Sequence, residues 1–191
     1  MAGIEQRAAK PYAPPVAVVM GVAGAGKTAV GERLGERLDR EFAEGDRFHA
    51  TGNMAKMQSG HPPTDADRAP SLVAIAWAIE AWRAGNARGL ITCSGLKREY
   101  RRRIIGARPR VRLAYLDGSC QLIAARRGHF MPASLLDSPF AALEPPGPDE
   151  NPIGVPIDQP LDRIVEQLAA VPSTPVEPGS SKRAFPVAEQ R

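Results

Sequence analysis

Gly21-Val22-Ala23-Gly24-Ala25-Gly26-Lys27-Thr28 fits G-x-x-x-x-G-K-[ST], the pattern of a loop that cradles phosphates. The glycines let the backbone turn tightly and point its N–H groups inward at phosphate oxygens. Lys27 is placed to reach the β- and γ-phosphates, and the Thr28 hydroxyl to hold Mg²⁺. The flanks suit the motif. Val16-Ala17-Val18-Val19-Met20 reads as a strand buried on both faces. Val30, Leu34 and Leu38 then recur at helical spacing. Strand, glycine loop and helix come in the order that phosphate binding at a helix N-terminus requires.

The 191 residues suit one domain with room for a small lid. A net charge of +4 suits an anionic ligand but is too modest to imply nucleic acid by itself. Two cysteines, Cys93 and Cys120, form no C-x-x-C, so a reducing cytoplasm is expected rather than a disulfide framework. No apolar stretch approaches the roughly 18 residues of a membrane span. No apolar signal core precedes the first strand.

Outward from the loop, strands are expected at 16–20, 46–49, 90–93, 111–116 and 153–157. Helices are expected at 27–41, 53–59, 65–84, 97–105, 119–126, 132–143 and 160–170. This alternation predicts an α/β fold: a P-loop three-layer αβα sandwich with a mainly parallel sheet and a small lid. Residues 1–14 read as a flexible arm, 15–171 as the phosphate-binding domain with its lid at about 124–142, and 172–191 as a disordered tail. Trp77 and Trp82 read as packing residues of the long helix.

A phosphate loop names a nucleotide, not a reaction, so the acceptor side must come from the rest of the chain. Asp46, in Gly45-Asp46-Arg47-Phe48-His49, is placed to accept a hydroxyl proton or to orient Mg²⁺ through water. A solvated strand-end aspartate is the alternative. His49 by itself reads as a polar loop residue ahead of a catalytic one. Asp65 suits a helix cap, and Lys56 and Arg68 are suited to hold a small anion. Cys93 reads as a small buried hydrophobe. Seven of the sixteen residues Lys97–Arg112 are arginine. Without aromatic interleaving beyond Tyr100, the expectation is that Lys97 and Arg101 face a small anionic substrate while the other arginines are solvated. A nucleic-acid face is the weaker alternative. Arg126 and Arg127, ahead of Gly128-His129-Phe130, suit a lid that closes over a transferring phosphoryl group.

Taken together, these segments resemble the gluconokinase family of small P-loop kinases, related to shikimate and nucleoside monophosphate kinases. The matching pieces are Met20-Gly21-Val22 with the glycine loop; Gly45-Asp46-x-Phe48-His49; Asn53, Lys56-Met57 and Gly60; Asp65-x-Asp67-Arg68-x-Pro70; Cys93-Ser94-x-Leu96-Lys97 with Tyr100-Arg101; Arg127-Gly128-His129-Phe130; Leu143-Glu144-Pro145-Pro146; and Asp158-Gln159-Pro160-Leu161. The resemblance implies transfer of the ATP γ-phosphate to the 6-hydroxyl of D-gluconate, with Mg²⁺, in a homodimer without membrane or nucleic-acid partners. It implies that Lys27, Asp46 and Arg127 are catalytic, and that Gly21 to Thr28 with Arg126 hold the nucleotide. Asp46, His49, Lys56, Arg68, Lys97 and Arg101 would hold the substrate, with Thr28 and Asp46 toward the metal. The approach to the lid, Leu122 to Gly128, is about one helical turn short of the family pattern, roughly 5–6 Å. That shortening implies weakened ATP affinity or slow turnover. A kinase for another hydroxy acid, or a nucleotide-binding protein with impaired catalysis, are the alternatives.

Overall fold

The structure is a computed structural model that describes residues 16–50, 52–53, 64–126 and 139–171. These fall within one compact unit, Pro14–Val171. The expected arm at 1–14, the tail at 172–191, most of the helix at 53–59 and most of the lid at 124–142 lie outside the described residues.

The elements run β1 (Val16–Met20), α1 (Lys27–Leu38), β2 (Glu41–Ala43), a 3₁₀ turn (Gly45–Phe48), α2 (Asp65–Ala84), β3 (Gly89–Cys93), α3 (Arg98–Ile104), β4 (Val111–Asp117), α4 (Cys120–Arg126), a second 3₁₀ turn (Pro148–Glu150), β5 (Ile153–Pro156) and α5 (Leu161–Ala170). The five strands form one parallel sheet in the order β2-β3-β1-β4-β5. β1 sits at the centre, with Met20 in register with Cys93 on one side and Tyr115 on the other.

Strand alternation sends side chains to opposite faces, which makes two core layers. Val19, Leu90, Leu116 and Val155 pack with Val30 and Leu34 of α1 and with Ile164, Val165 and Leu168 of α5. Val18, Met20, Ile91 and Leu113 pack with Leu72, Ile75 and Ile79 of α2 and with Tyr100 and Ile104 of α3. Helices therefore cover both faces, as the alternation of elements predicts.

Two boundaries differ from expectation. The second strand is Glu41–Ala43, not 46–49, and α1 stops at Leu38. Asp39 takes the left-handed conformation (φ 53°) and the Arg40 N–H closes onto the Gly35 carbonyl at 2.9 Å, which ends the helix early. Residues 45–48 then form a tight turn at the end of β2 rather than a strand. The cap of α2 is Thr64, not Asp65. Thr64 Oγ1 accepts from the Asp67 N–H at 3.2 Å, and Asp67 Oδ2 accepts from the Thr64 N–H at 3.0 Å. This reciprocal pair is a capping box. Trp82 packs over Gly89 and donates to Glu41 at 2.7 Å, whereas Trp77 is 73 % exposed.

Candidate active site

The glycine loop follows β1, at the carboxyl edge of the sheet where ligands of open parallel sheets bind. Gly24 and Gly26 both sit at φ 90°, a conformation that costs other residues dearly. Lys27 and Thr28 open α1, so the helix dipole and the loop amides point at the same place. In this state Lys27 Nζ donates to the Val22 carbonyl of its own loop at 3.1 Å.

Asp46 is carried to the same edge by the turn after β2. That turn is pinned by Gly45, whose N–H donates to Thr92 Oγ1 at 3.0 Å. The packing leaves no room for a side chain: a Cβ on Gly45 would lie 1.8 Å from the Thr92 carbonyl oxygen. Asp46, His49, Arg68, Cys93, Gly95 and Tyr100 line one pocket beside this turn. Cys93 marks where the two halves of the site meet. Burial pushes its thiol pKa up, while the charges of Lys27, Asp46 and Arg68 all reach it. Asp46 and Arg68 thus line one pocket with Cys93 at the end of β3, and the charge of the phosphate lysine also acts on that thiol.

The far wall of the pocket is a network on α2 and α3. Asp65, freed from capping, accepts from Lys97 Nζ at 2.7 and 2.8 Å and from the Tyr100 hydroxyl. The hydrogen bonds from Lys97 and Tyr100 hold Asp65 below the usual carboxylate range. The same contact with Asp65 raises the pKa of Lys97. Lys97 and Arg68 lie 5.5 and 6.0 Å from the Tyr100 ring centroid, within cation–π range. His49 is held below the usual imidazole range, first by burial, then by Arg68 working against Asp46. Its Nδ1 is buried without a hydrogen-bond partner. A neutral imidazole at the pocket wall can accept or donate one hydrogen bond to a hydroxyl.

Arg101 corrects the sequence reading. It is 1 % exposed, and its guanidinium is taken up by partners within the chain. Its guanidinium donates to Glu150 at 2.6 and 2.8 Å and to the carbonyls of Gly95, Leu96 and Glu144 at 2.9–3.1 Å. Glu144 in turn accepts from the Arg98 N–H at 2.7 Å. Arg101 therefore ties the loop after β3 to the segment before β5. The basic run is also largely spent within the chain: Arg98 pairs with Asp149, Arg103 with Glu99 and Arg108 with Glu80.

Arg126 ends α4 and donates to the carbonyls of Ile157 and Gln159, beside the loop that follows β5. Lys56 and Arg127 lie outside the described residues. One residue the sequence reading passed over is Glu44. Its Oε1 accepts from Thr92 Oγ1 at 2.7 Å, and its Oε2 is buried without a partner. The available signal was an acid directly before Gly45-Asp46. With the strand placed at 46–49, Glu44 fell ahead of it instead of near its carboxyl end. Among the described residues no group of three or more His, Cys, Asp or Glu is gathered to hold a metal ion. Mg²⁺ does not need such a cage, since it binds through one or two protein oxygens plus phosphates and water. Thr28, Asp46 and the orphaned Glu44 oxygen are donors of that kind.

Sheet order, glycine loop and facing carboxylate define a P-loop phosphotransferase. Comparison narrows the class. The chain is 44% identical over 160 residues to a gluconokinase of Gluconobacter oxydans, covering 81% of this chain and 89% of the relative. It also superimposes on the crystal structure of a gluconokinase from Sinorhizobium meliloti with TM-score 0.76 at 38% identity, covering 84% and 92% of the two chains. This chain belongs to the gluconokinase family. A shikimate kinase from Aquifex aeolicus shares the fold alone, with TM-score 0.54 at 14% identity over 80% and 92% of the chains. No family model matches the sequence.

Proposed function

We propose that this chain is an ATP-dependent gluconokinase that phosphorylates D-gluconate at its 6-hydroxyl, giving 6-phosphogluconate and ADP. The observation that carries the reading is the pocket at the end of β3 that Asp46, His49 and Arg68 line together, in a chain of this family. Phosphoryl transfer needs positioning and countercharge more than covalent chemistry. The loop from Gly21 to Thr28 holds the phosphates, and Lys27 swings from the Val22 carbonyl to the transferring group. Asp46 orients the acceptor hydroxyl and takes its proton. Arg68, Lys97, Lys56 and the neutral His49 hold the carboxylate and hydroxyls of the sugar acid.

Thr28, with Asp46 and Glu44 acting through water, suits Mg²⁺. Mg²⁺ held there would offset the negative charge of the phosphates during transfer. Arg126 flanks the nucleotide base beside the loop at 157–159, and Arg127 neutralises the phosphoryl group from the lid. No helix among the described residues is long and apolar enough to cross a membrane. Two cysteines without a C-x-x-C suit a cytoplasmic enzyme. An ADP-release assay with gluconate, shikimate and nucleoside monophosphates as acceptors tests the proposal. Turnover with gluconate alone is expected. Turnover only with another acceptor would replace the substrate, and none with any would indicate a nucleotide-binding protein.

A further inference from the structure

β3 is buried along its whole length, and Thr92 is its only residue with a hydroxyl. Thr92 is 1 % exposed. Strand alternation puts it on the α1 side of the sheet with Leu90, in an otherwise apolar layer. Its methyl lies against α1 at Gly31, where a Cβ would come within 3.1 Å of Thr92 Cγ2. A valine would fill that space as well. A buried hydroxyl costs free energy unless it is hydrogen-bonded, so packing alone does not account for it.

The bonds lead to the acceptor side. β2 ends at Ala43, in register with Ile91, so Glu44 and Gly45 come next beside Thr92. Thr92 Oγ1 donates to Glu44 Oε1 at 2.7 Å and accepts from the Gly45 N–H at 3.0 Å. A hydroxyl has one hydrogen, and a carboxylate only accepts. That hydrogen therefore lies toward Glu44, and a lone pair is left facing Gly45. N–H, O–H and carboxylate form a row in which each bond polarises the next. A hydroxyl turned the other way would set its hydrogen against the Gly45 N–H. On β1, the residue in register with Thr92 is Val19, two positions before the glycine loop. One side chain thus touches both the helix that follows the phosphate loop and the turn that carries Asp46.

We infer that Thr92 is a positioning residue for phosphoryl transfer. Beyond the steric hold on Gly45, its hydroxyl, aimed by Glu44, fixes the Gly45-Asp46 backbone against β3. It thereby sets where the Asp46 carboxylate stands relative to the phosphate loop. The inference rests on the reading of Asp46 as the acceptor-side carboxylate. The methyl does separate work as packing for α1, so the two halves of the side chain can be tested apart.

Thr92→Val keeps the packing and removes both hydrogen bonds, whereas Thr92→Ser keeps the bonds and removes the methyl. Steady-state kinetics with gluconate and ATP, and thermal unfolding of the same samples, compare them. Thr92→Val should lower kcat roughly 10- to 100-fold, as a small misplacement of a reacting group does, with the KM for ATP little changed. Thr92→Ser should keep kcat near the wild-type value although it melts lower. Amide hydrogen exchange reads the turn without turnover: the Gly45 N–H should lose its protection in Thr92→Val and keep it in Thr92→Ser. A kcat that merely follows melting temperature across the two variants would overturn the inference, as would Thr92→Val with wild-type kcat or with Gly45 still protected. Wild type that turns over another acceptor instead of gluconate would refute the substrate reading alone, and the same kcat comparison then applies with that acceptor. Wild type inactive with every acceptor would overturn both.

Discussion

Asp46 and Arg101 show what a residue's type does and does not decide. An acid beside a phosphate loop can be read as an acceptor-side carboxylate, and the fold does bring Asp46 to the pocket wall. Asp46→Asn should lower kcat by roughly 10²–10⁴, the usual share of proton transfer, and far more than it weakens ATP binding measured by titration. Lys97 and Arg101 look alike in sequence, two cations one helical turn apart after the same strand. Their difference comes from Glu144 and Glu150, more than forty residues away, which claim the guanidinium. No local pattern reveals such a partner. Arg101→Met leaves Glu150 with an unpaired, nearly buried carboxylate and should destabilise the chain by about 3–5 kcal/mol in denaturant unfolding. Lys97→Met should leave stability nearly unchanged and raise the KM for gluconate.

At the scale of elements, the site depends on how β2 hands over to its turn. The long, periodic helix at 65–84 was legible in full, as were the four other strands to within about two residues. β2 was not, because three residues give no periodicity and the left-handed Asp39 has no strong sequence signal. What makes the turn rigid is steric. Gly45→Ala must displace the Thr92 carbonyl, so we expect a lower melting temperature together with loss of turnover, since Asp46 moves with it. The strap between α3 and the second 3₁₀ turn responds to acid. Arg101 holds Glu150 below the usual carboxylate range of about 4.5. A depressed folded-state pKa gives stability that is complete above the unfolded value and lost as pH falls through the folded one. Unfolding free energy should therefore drop below pH ~4.5. Glu150→Gln should flatten that part of the profile.

At the scale of the whole molecule, strand–helix alternation was enough to read a parallel, three-layer fold. The order β2-β3-β1-β4-β5 was not legible, since it depends on which crossover lands on which edge of β1. That order places the phosphate loop centrally, with the turn after β2 and the end of β3 on one side of it, and so lets a nucleotide and a sugar acid meet. The outer face of α2 was misread for a related reason. Sequence alone assigned Trp77 to packing, and only the fold shows it 73 % exposed among the described residues. In the proposed reaction the carboxylate beside the phosphate loop serves a gluconate hydroxyl. Its most direct test is phosphorus and carbon NMR of the product formed from ATP and D-gluconate by the wild-type chain and by Asp46→Asn. Wild type should give 6-phosphogluconate as the sole new phosphate ester, and Asp46→Asn little or none at saturating ATP. Phosphorylation at another hydroxyl, or undiminished product from Asp46→Asn, would contradict it.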